Sequence, residues 1–462
     1  MLNSSTLHSF ESIVGDANVL ADPYDLDRYS ADALTPFRAF GVEEALQRLA
    51  DLVVRPANTE QVAEIVTLAA QQRIPLIPYG GGTGVMGGTL PVQGGVIIDL
   101  QRMNRVLEVN PRDQTVSVEA GTVLQDLEDA LDEHGLMAGH DPYSVAIATV
   151  GGAISTNGVG YRAGAIGPMG DQVVALEVVL PNSRVLVTPQ VPKASSGPNL
   201  NHLFIGSEGV FGVITKATLR VRRLPEAQVF ATIAFDSFSQ GFNAVAELRA
   251  LDIRPTLLDL TEEDGQVRLY LLFEGFREGV AALEARSMEI CSQFQGHSVG
   301  PEPTLAYWRD RHQSGENYKL SALGKPRQDR WQRGGGRGFD YLHLALPISR
   351  VLEYRERCER AMAGSGVMVT EYAIWSRPEL FSMLLAPEPG AGDNFRESLS
   401  RVVQQVLTLA QDMGGVMEYC HGVGMKLGHL LAREMGVGHQ VIRALKESLD
   451  PAGIMNPSKL GL

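Results

Sequence analysis

Three glycine-rich stretches constrain what this 462-residue chain can fold into. They read Pro78-Tyr-Gly-Gly-Gly-Thr-Gly-Val-Met-Gly-Gly88, Thr149-Val-Gly-Gly-Ala-Ile-Ser-Thr-Asn157 and Gly206-Ser-Glu-Gly-Val-Phe-Gly-Val-Ile-Thr215. Six glycines in the eleven residues of the first are a costly way to make a turn, because each loses more conformational freedom on folding than any other residue. Repeated between strands, such loops point to a long ligand approached closely by main chain. Gly82-Thr-Gly-Val-Met-Gly87 has the spacing of a dinucleotide fingerprint, but that fingerprint must open a helix whose N-terminus holds the pyrophosphate. Here Thr89-Leu-Pro-Val-Gln-Gly-Gly95 follows, and Pro91 with two glycines cannot start that helix. The first stretch therefore reads as a nest of backbone N–H groups that joins two strands and holds phosphate.

Composition narrows the partners. A formal charge of −14 argues against nucleic acid or an anionic membrane. Three cysteines without paired spacing (Cys291, Cys358, Cys420) point to a reducing compartment, with no disulfide or zinc framework and no metal site. The first residues have neither a basic nor an apolar signal region, and no apolar run approaches the roughly 20 residues of a membrane span. The expectation is a soluble, cytoplasmic protein.

Residues 50–225 alternate strand and helix signals. Asn58 caps a helix with Gln61 reaching back, and Val62, Ile65, Val66 and Ala69 form its apolar face. Strands are expected at 75–78, 95–100, 105–109, 115–120, 173–180 and 213–221, with a helix marked by Leu124, Leu127 and Leu131 and stopped by Gly135. From about 226 to 400 strands and amphipathic helices continue. Lys325 to Gly338, with Arg327, Arg330, Arg333 and Arg337, reads as a mobile loop or as a lid over an anionic substrate. Residues 401–450 read as mostly helical. The expected division is 1–225 (core 47–225), 226–400 and 401–462.

The first glycine loop, Gly139-His-Asp-Pro142 through Asn157, and Gly206 to Ile214 resemble the FAD-binding domain of the vanillyl-alcohol-oxidase superfamily, of PCMH type. Tyr419-Cys-His-Gly-Val-Gly424 and Leu449-Asp-Pro-Ala-Gly-Ile-Met-Asn-Pro-Ser-Lys459 resemble its D-2-hydroxy-acid dehydrogenase and glycolate oxidase branch. The resemblance implies an α+β fold: a two-subdomain FAD-binding domain, a cap with an antiparallel sheet for substrate, and a helical C-terminal segment returning to the flavin. Two departures stand out. That branch carries glutamate where this chain has Cys420, and a His-x-Gly-Asp-Gly-Asn loop that is absent here. The chain also resembles alkylglycerone-phosphate synthase, although that branch has three successive histidines at Tyr419-Cys420-His421 and a tyrosine that aligns with Trp375.

Site residues follow from the resemblance. Backbone N–H groups of Gly80, Gly81, Gly82, Thr83 and Gly84 are implied to hold the FAD pyrophosphate, with Pro78 and Tyr79 also in the cofactor set. Thr149, Gly151, Gly152, Ser155, Thr156 and Asn157 make further flavin contacts or, alternatively, cap and start a helix. Gly88, Pro142, Gly160, Glu208, Gly209, Gly212, Val213, Ile214 and Asn456 complete the implied cofactor set. No histidine adjoins Thr83, so FAD is expected to be noncovalent. His421 is the candidate base, since an ordinary imidazole pKa near 6.5 suits a group that takes a hydroxyl proton as hydride leaves. Tyr419 sits beside it. His140 reads as structural, near the flavin edge. Arg309 and Arg377 are candidate anchors for an anionic substrate or ordinary surface arginines. Trp375 and Tyr372 shape the pocket or fill core, and Lys426 pairs with a helix carboxylate.

Three activities are in play. The first is oxidation of a hydroxyl-bearing carbon, as in a 2-hydroxy acid, by hydride transfer to FAD; oxygen, a quinone or an electron-transfer protein could each be the acceptor. The second is a non-redox flavin transferase of the alkylglycerone-phosphate synthase type. The third is a flavin subunit of an electron-transfer complex. A homodimer is a family-level expectation.

Overall fold

The computed structural model describes residues 2–38, 41–331, 338–392 and 394–462. Its first sheet contains β1 (Val19–Leu20), β2 (Leu52–Val54), β3 (Leu76–Tyr79) and β4 (Val96–Asp99) in the order β1-β2-β4-β3. β4 runs parallel to both β2 and β3. Every residue of β2 and β4 is buried, as parallel strands covered on both faces require. Between β2 and β3 lies the helix Thr59–Gln72. Asn58 Oδ1 accepts the Gln61 N–H at 2.9 Å, and Gln61 Oε1 accepts the Ala57 N–H at 2.7 Å, so both side chains mark the helix start. Val62, Ile65 and Val66 are fully buried, which stabilises by about 1.5–3 kcal/mol for each. β3 then enters the first glycine stretch, which reaches β4 without a helix.

The second sheet is antiparallel, in the order β5-β6-β10-β8-β9. Its strands are β5 (Val106–Asn110), β6 (Thr115–Glu119), β8 (Val173–Val179), β9 (Val185–Val187) and β10 (Val213–Arg220); β7 (Leu136–Met137) and β11 (Arg222–Arg223) pair separately. The second glycine stretch starts the helix Val150–Thr156, with Thr149 as its N-cap. A Cβ on Gly151 would stand 2.8 Å from the Ala120 Cβ, so glycine here lets helix and sheet meet closely.

The cap is a seven-stranded antiparallel sheet, β15-β12-β14-β13-β17-β18-β16. It comprises β12 (Ala227–Phe235), β13 (Leu257–Glu263), β14 (Gln266–Gly275), β15 (His297–Gly300), β16 (Asp340–Ala345), β17 (Val367–Trp375) and β18 (Leu380–Pro387). Each half runs β-α-β-β-α, and the halves join at β13 and β17. Asp264 (φ 50°) and Gly265 (φ 73°) make the two-residue turn between β13 and β14, whose positive φ values match the sheet twist. The helix Phe395–Asp412 crosses the expected division at residue 400, because its apolar face packs on β16, β17 and the helix Val351–Met362.

The segment read as a mobile loop is different in its described part. Arg327–Trp331 is helical, and both of its arginines are buried against the first unit. Arg327 Nε donates to Asp27 Oδ1 at 2.7 Å, and Arg330 donates to the Arg28 carbonyl at 2.8 Å. Buried carbonyls and a carboxylate fix these guanidinium groups in place of solvent. Arg333 and Arg337 lie outside the described residues. Among the described residues no helix is long and apolar enough to cross a membrane.

After the helices Gly424–Met435 and Val437–Leu449 the chain returns to its beginning. Leu76 donates to the Ile454 carbonyl and accepts from the Asn456 N–H, at 2.7 and 2.8 Å, so the last residues flank β3. Lys459 Nζ, fully buried, donates to the Leu90 carbonyl at 2.9 Å.

Candidate active site

A cavity of about 1030 Å³ runs from the three glycine stretches to one face of the cap sheet. Pro78 to Gly84 and Gly88 line it, with Thr149, Gly151, Gly152, Ser155, Thr156, Glu208, Gly209, Gly212 and Ile214. Pro142 and Gly160 border it too. A Cβ on Gly81 would lie 2.2 Å from the Ile147 carbonyl oxygen, and Gly82 has φ 64°, so neither position admits a side chain without strain.

Three of the expected cofactor residues serve the frame around the cavity. Asn157 ends its helix at φ 51° and accepts the Gly170 N–H through Oδ1 at 2.9 Å. Val213 is a buried residue of β10. Asn456 Nδ2 donates to the carbonyls of Gly88 (2.9 Å) and Glu208 (2.6 Å), tying the chain end to two of the three stretches. Glu208 is itself a clamp: its carboxylate accepts the backbone N–H groups of Val423 and Gly424.

Two histidines meet at the opposite end. The rings of His343, on β16, and His421 are 4.8 Å apart at 64°. The stretch carrying His421 lies alongside β16, with the Tyr419 N–H donating to the His343 carbonyl at 3.1 Å. The opposed charge preferences of the two rings follow from their neighbours. Burial disfavours charge on His421, but Cys420 and the Glu418 carboxylate, 3.6 Å from Nδ1, outweigh it and raise its pKa to about 10. The surroundings of His421 therefore favour its charged form, where its sequence setting suggests an ordinary imidazole. His343 is held well below the usual imidazole range by burial and then by the positive charges of His421, Arg38 and Lys426. His343 Nδ1 is 2.8 Å from Ser382 Oγ, which is 2.9 Å from Tyr419 Oη. Tyr419 thus supports the His343 ring through Ser382 and does not line the cavity.

Arg38 also lines the cavity at this end. Its Nε donates to Asp340 Oδ1 at 3.1 Å; Lys426 Nζ donates to both oxygens of the same buried carboxylate at 2.7 and 2.6 Å. Lys426 therefore pairs with a strand carboxylate, and burial lowers its pKa to about 8. The two expected anchors lie elsewhere. Arg309 follows the inward-facing Trp308 on the helix Glu302–Asp310, so its side chain turns out to 73% exposure and pairs with Asp310. Arg377 lies in the turn from β17 to β18 and borders a separate small recess. Trp375 does line the cavity, whereas Tyr372 packs in the core against Phe238 and Phe381. His140 lines the flavin side, with burial lowering its pKa to about 4. His343, Arg38 and Tyr341 had no motif to announce them.

Two family models cover the chain: the FAD-binding domain over residues 50–189 and the C-terminal domain of FAD-linked oxidases over 224–460. This chain belongs to the FAD-linked oxidases of the PCMH/vanillyl-alcohol-oxidase superfamily. The flavoprotein is 27% identical over 444 residues to the glycolate oxidase subunit GlcD of Bacillus subtilis, covering 90% of this chain and 89% of that one. To a D-lactate dehydrogenase of Archaeoglobus fulgidus it is 28% identical over 428 residues, covering 88% and 91%. Its fold matches p-cresol methylhydroxylase with a TM-score of 0.79 at 19% identity, covering 99% of this chain and 96% of that one. An alkyldihydroxyacetonephosphate synthase matches with a TM-score of 0.76 at 19% identity, covering 99% and 85%. The cofactor of the flavoprotein is FAD, and the side-chain-free glycine cradle and long cavity fit it.

Proposed function

We propose that this chain oxidises a 2-hydroxy acid, with the acid held at the His343–His421 end of the cavity. The observation that carries the reading is the His343–His421 pair, rings 4.8 Å apart on the cavity wall that Arg38 also lines, with surroundings that favour charge on His421 and oppose it on His343. A 2-hydroxy acid presents an anion and a hydroxyl on neighbouring carbons, which matches one cationic and one proton-accepting imidazole. His421 and Arg38 bind the carboxylate, and planar arginine suits that task. His343 accepts the hydroxyl proton, and the arriving carboxylate raises its basicity by offsetting the positive charge around it. The chemistry that bound FAD would supply is acceptance of a hydride from the same carbon. Backbone N–H groups of Gly80 to Gly84 would hold its pyrophosphate, and Gly151, Gly152, Gly209, Gly212 and Ile214 line the cavity that would take the rest. Cap and glycine loops together enclose the reacting carbon and exclude water.

The glycolate oxidase subunit and D-lactate dehydrogenase relatives support this reading. Anaerobic mixing with a panel of 2-hydroxy acids tests it. Bleaching of the flavin absorbance by one of them is the expected result. Bound flavin that no hydroxy acid or alcohol bleaches would overturn it in favour of group transfer.

A further inference from the structure

Arg377 is an arginine without a partner. It stands half-buried in the turn from β17 to β18, and its guanidinium makes no hydrogen bond, ion pair or ring contact among the described residues. The recess it borders encloses about 10 Å³. Two more arginines line it, Arg249 in the last turn of the helix Phe238–Ala250 and Arg254 just beyond that helix. Asp252, at φ 57°, lies between them, and its Oδ1 takes both, Arg249 at 3.3 Å and Arg254 at 2.6 Å. One carboxylate shared in this way offsets one charge of the two. The negative end of the helix offsets about half a charge more, so the three arginines keep an excess of roughly one and a half. Among the described residues no carboxylate lines the recess, in a chain whose formal charge is −14.

We propose that this recess binds a small oxyanion, inorganic phosphate or a carboxylate, with Arg377 as its main donor. A guanidinium offers a planar fork of donors that matches the oxygens of either group. The enclosed volume is about that of one water-sized atom, which admits a single oxygen and excludes a ring or an alkyl chain. The other oxygens face Arg249 and Arg254, which line the same recess. The place is a seam. Gly164, from the short helix Ala163–Ile166 of the flavin domain, also lines it, and a Cβ there would stand 2.2 Å from the Pro255 carbonyl oxygen of the cap. A bound anion therefore ties both halves of the cap together where they meet the flavin domain. Leu258 and Ser376 line both the recess and the large cavity, so the anion lies one layer of residues behind the wall that carries Trp375. The site goes beyond the 2-hydroxy-acid reading and stands whatever the large cavity oxidises.

The test uses the FAD-loaded protein, so that the glycine cradle is filled, with inorganic phosphate as the probe at an ionic strength held constant with chloride. Calorimetric titration should show saturable binding that weakens about tenfold or more in Arg377→Gln, where the charge-assisted hydrogen bonds are lost. Arg377→Lys keeps the charge without the planar fork and should fall between the two. Without phosphate, Arg377→Gln should melt at the same temperature as the unaltered protein, because the side chain it removes has no partner. The rise in melting temperature that phosphate gives the unaltered protein should be absent from the variant. Acetate separates the sources: binding that also depends on Arg377 assigns the site to carboxylates as well, and binding of phosphate alone assigns it to the inorganic ion. No saturable binding of either anion would overturn the site. So would binding that Arg377→Gln leaves unmoved, which would place the anion at Arg38 and His421 in the large cavity instead.

Discussion

Glu208 and Gly424 are joined twice: the Gly424 N–H lies 3.0 Å from each oxygen of the Glu208 carboxylate. With the Val423 N–H at 2.7 Å, this fastens the His421 loop to the third glycine stretch, 216 positions away in sequence. Flavin side and substrate side are thereby held in one geometry. Glu208→Ala should cost about 2–4 kcal/mol, since two buried backbone donors lose their acceptor. Glu208→Gln keeps one acceptor and should lose less. Thermal melting of the holoprotein measures both, and an unchanged midpoint in the alanine variant would show that the clamp is idle.

With the His421 pKa raised to about 10, binding of a carboxylate should hold steady from pH 6 to 8 and weaken as pH rises toward about 10. His421→Asn should weaken binding and slow flavin reduction by roughly 10² or more. The same shift contributes stability, because the folded pKa lies above the unfolded value of about 6.5. That contribution is complete below the unfolded value and is lost as pH climbs through about 10. Titrating the flavin spectrum with 3-phenylpropanoate across this range checks the binding. A midpoint near 6.5 would return His421 to the role of an ordinary imidazole.

Gly81→Ala places a methyl group 2.2 Å from the Ile147 carbonyl oxygen. The loop must shift to admit it, and the protein should purify with little yellow colour. The ratio of flavin to protein absorbance reads this directly. In the unaltered protein, acid precipitation should leave the flavin in the supernatant, as noncovalent binding requires; a yellow pellet would show a covalent link.

Asp141 gathers Arg162 at 2.7 Å, Arg311 at 3.1 Å and His312, and Arg162 also reaches Glu274 on β14 at 3.1 Å. The cluster bolts the flavin domain to the cap. Burial would raise the Asp141 pKa, but His312 and the two arginines win and hold it below the usual carboxylate range. Its stability contribution is therefore present above about pH 4, the unfolded carboxylate value, and lost as pH falls below it. Asp141→Leu should cost about 3–5 kcal/mol by leaving buried arginines without their partner. Urea unfolding at pH 7 measures that loss, and a change under 1 kcal/mol would refute the account.

The glycine stretches were legible because their chemistry is local. A loop that must present backbone to a ligand declares itself by what its residues lack. Asn58, Gln61 and the Val62–Ala69 stripe were readable for the same reason, since a cap and an apolar face lie within one helix. His343 was not. Its strand reads as core, with Leu342 and Leu344 inward, and only pairing with β18 and the return of residue 421 turn it into a site. The one local sign was alternation, which puts Tyr341 and His343 together on the opposite face. Arg38 had no sign, because its partner Asp340 is 302 positions away. Arg309 misled because a helix turns about 100° per residue: the neighbour of an inward tryptophan faces out.

The chain end that flanks β3 bears on how the protein is made. Strand β3 leads straight into the first glycine stretch, yet its edge is completed by Ile454 and Asn456, almost 380 residues later. Ribosomes deliver about 5–20 residues per second, so the N-terminal unit waits tens of seconds for its last edge. Capture of the cofactor should therefore follow synthesis of residues 454–456. Ribosome-bound chains stalled before residue 454 are expected to bind no flavin, and released chains that include residue 456 to bind it at once.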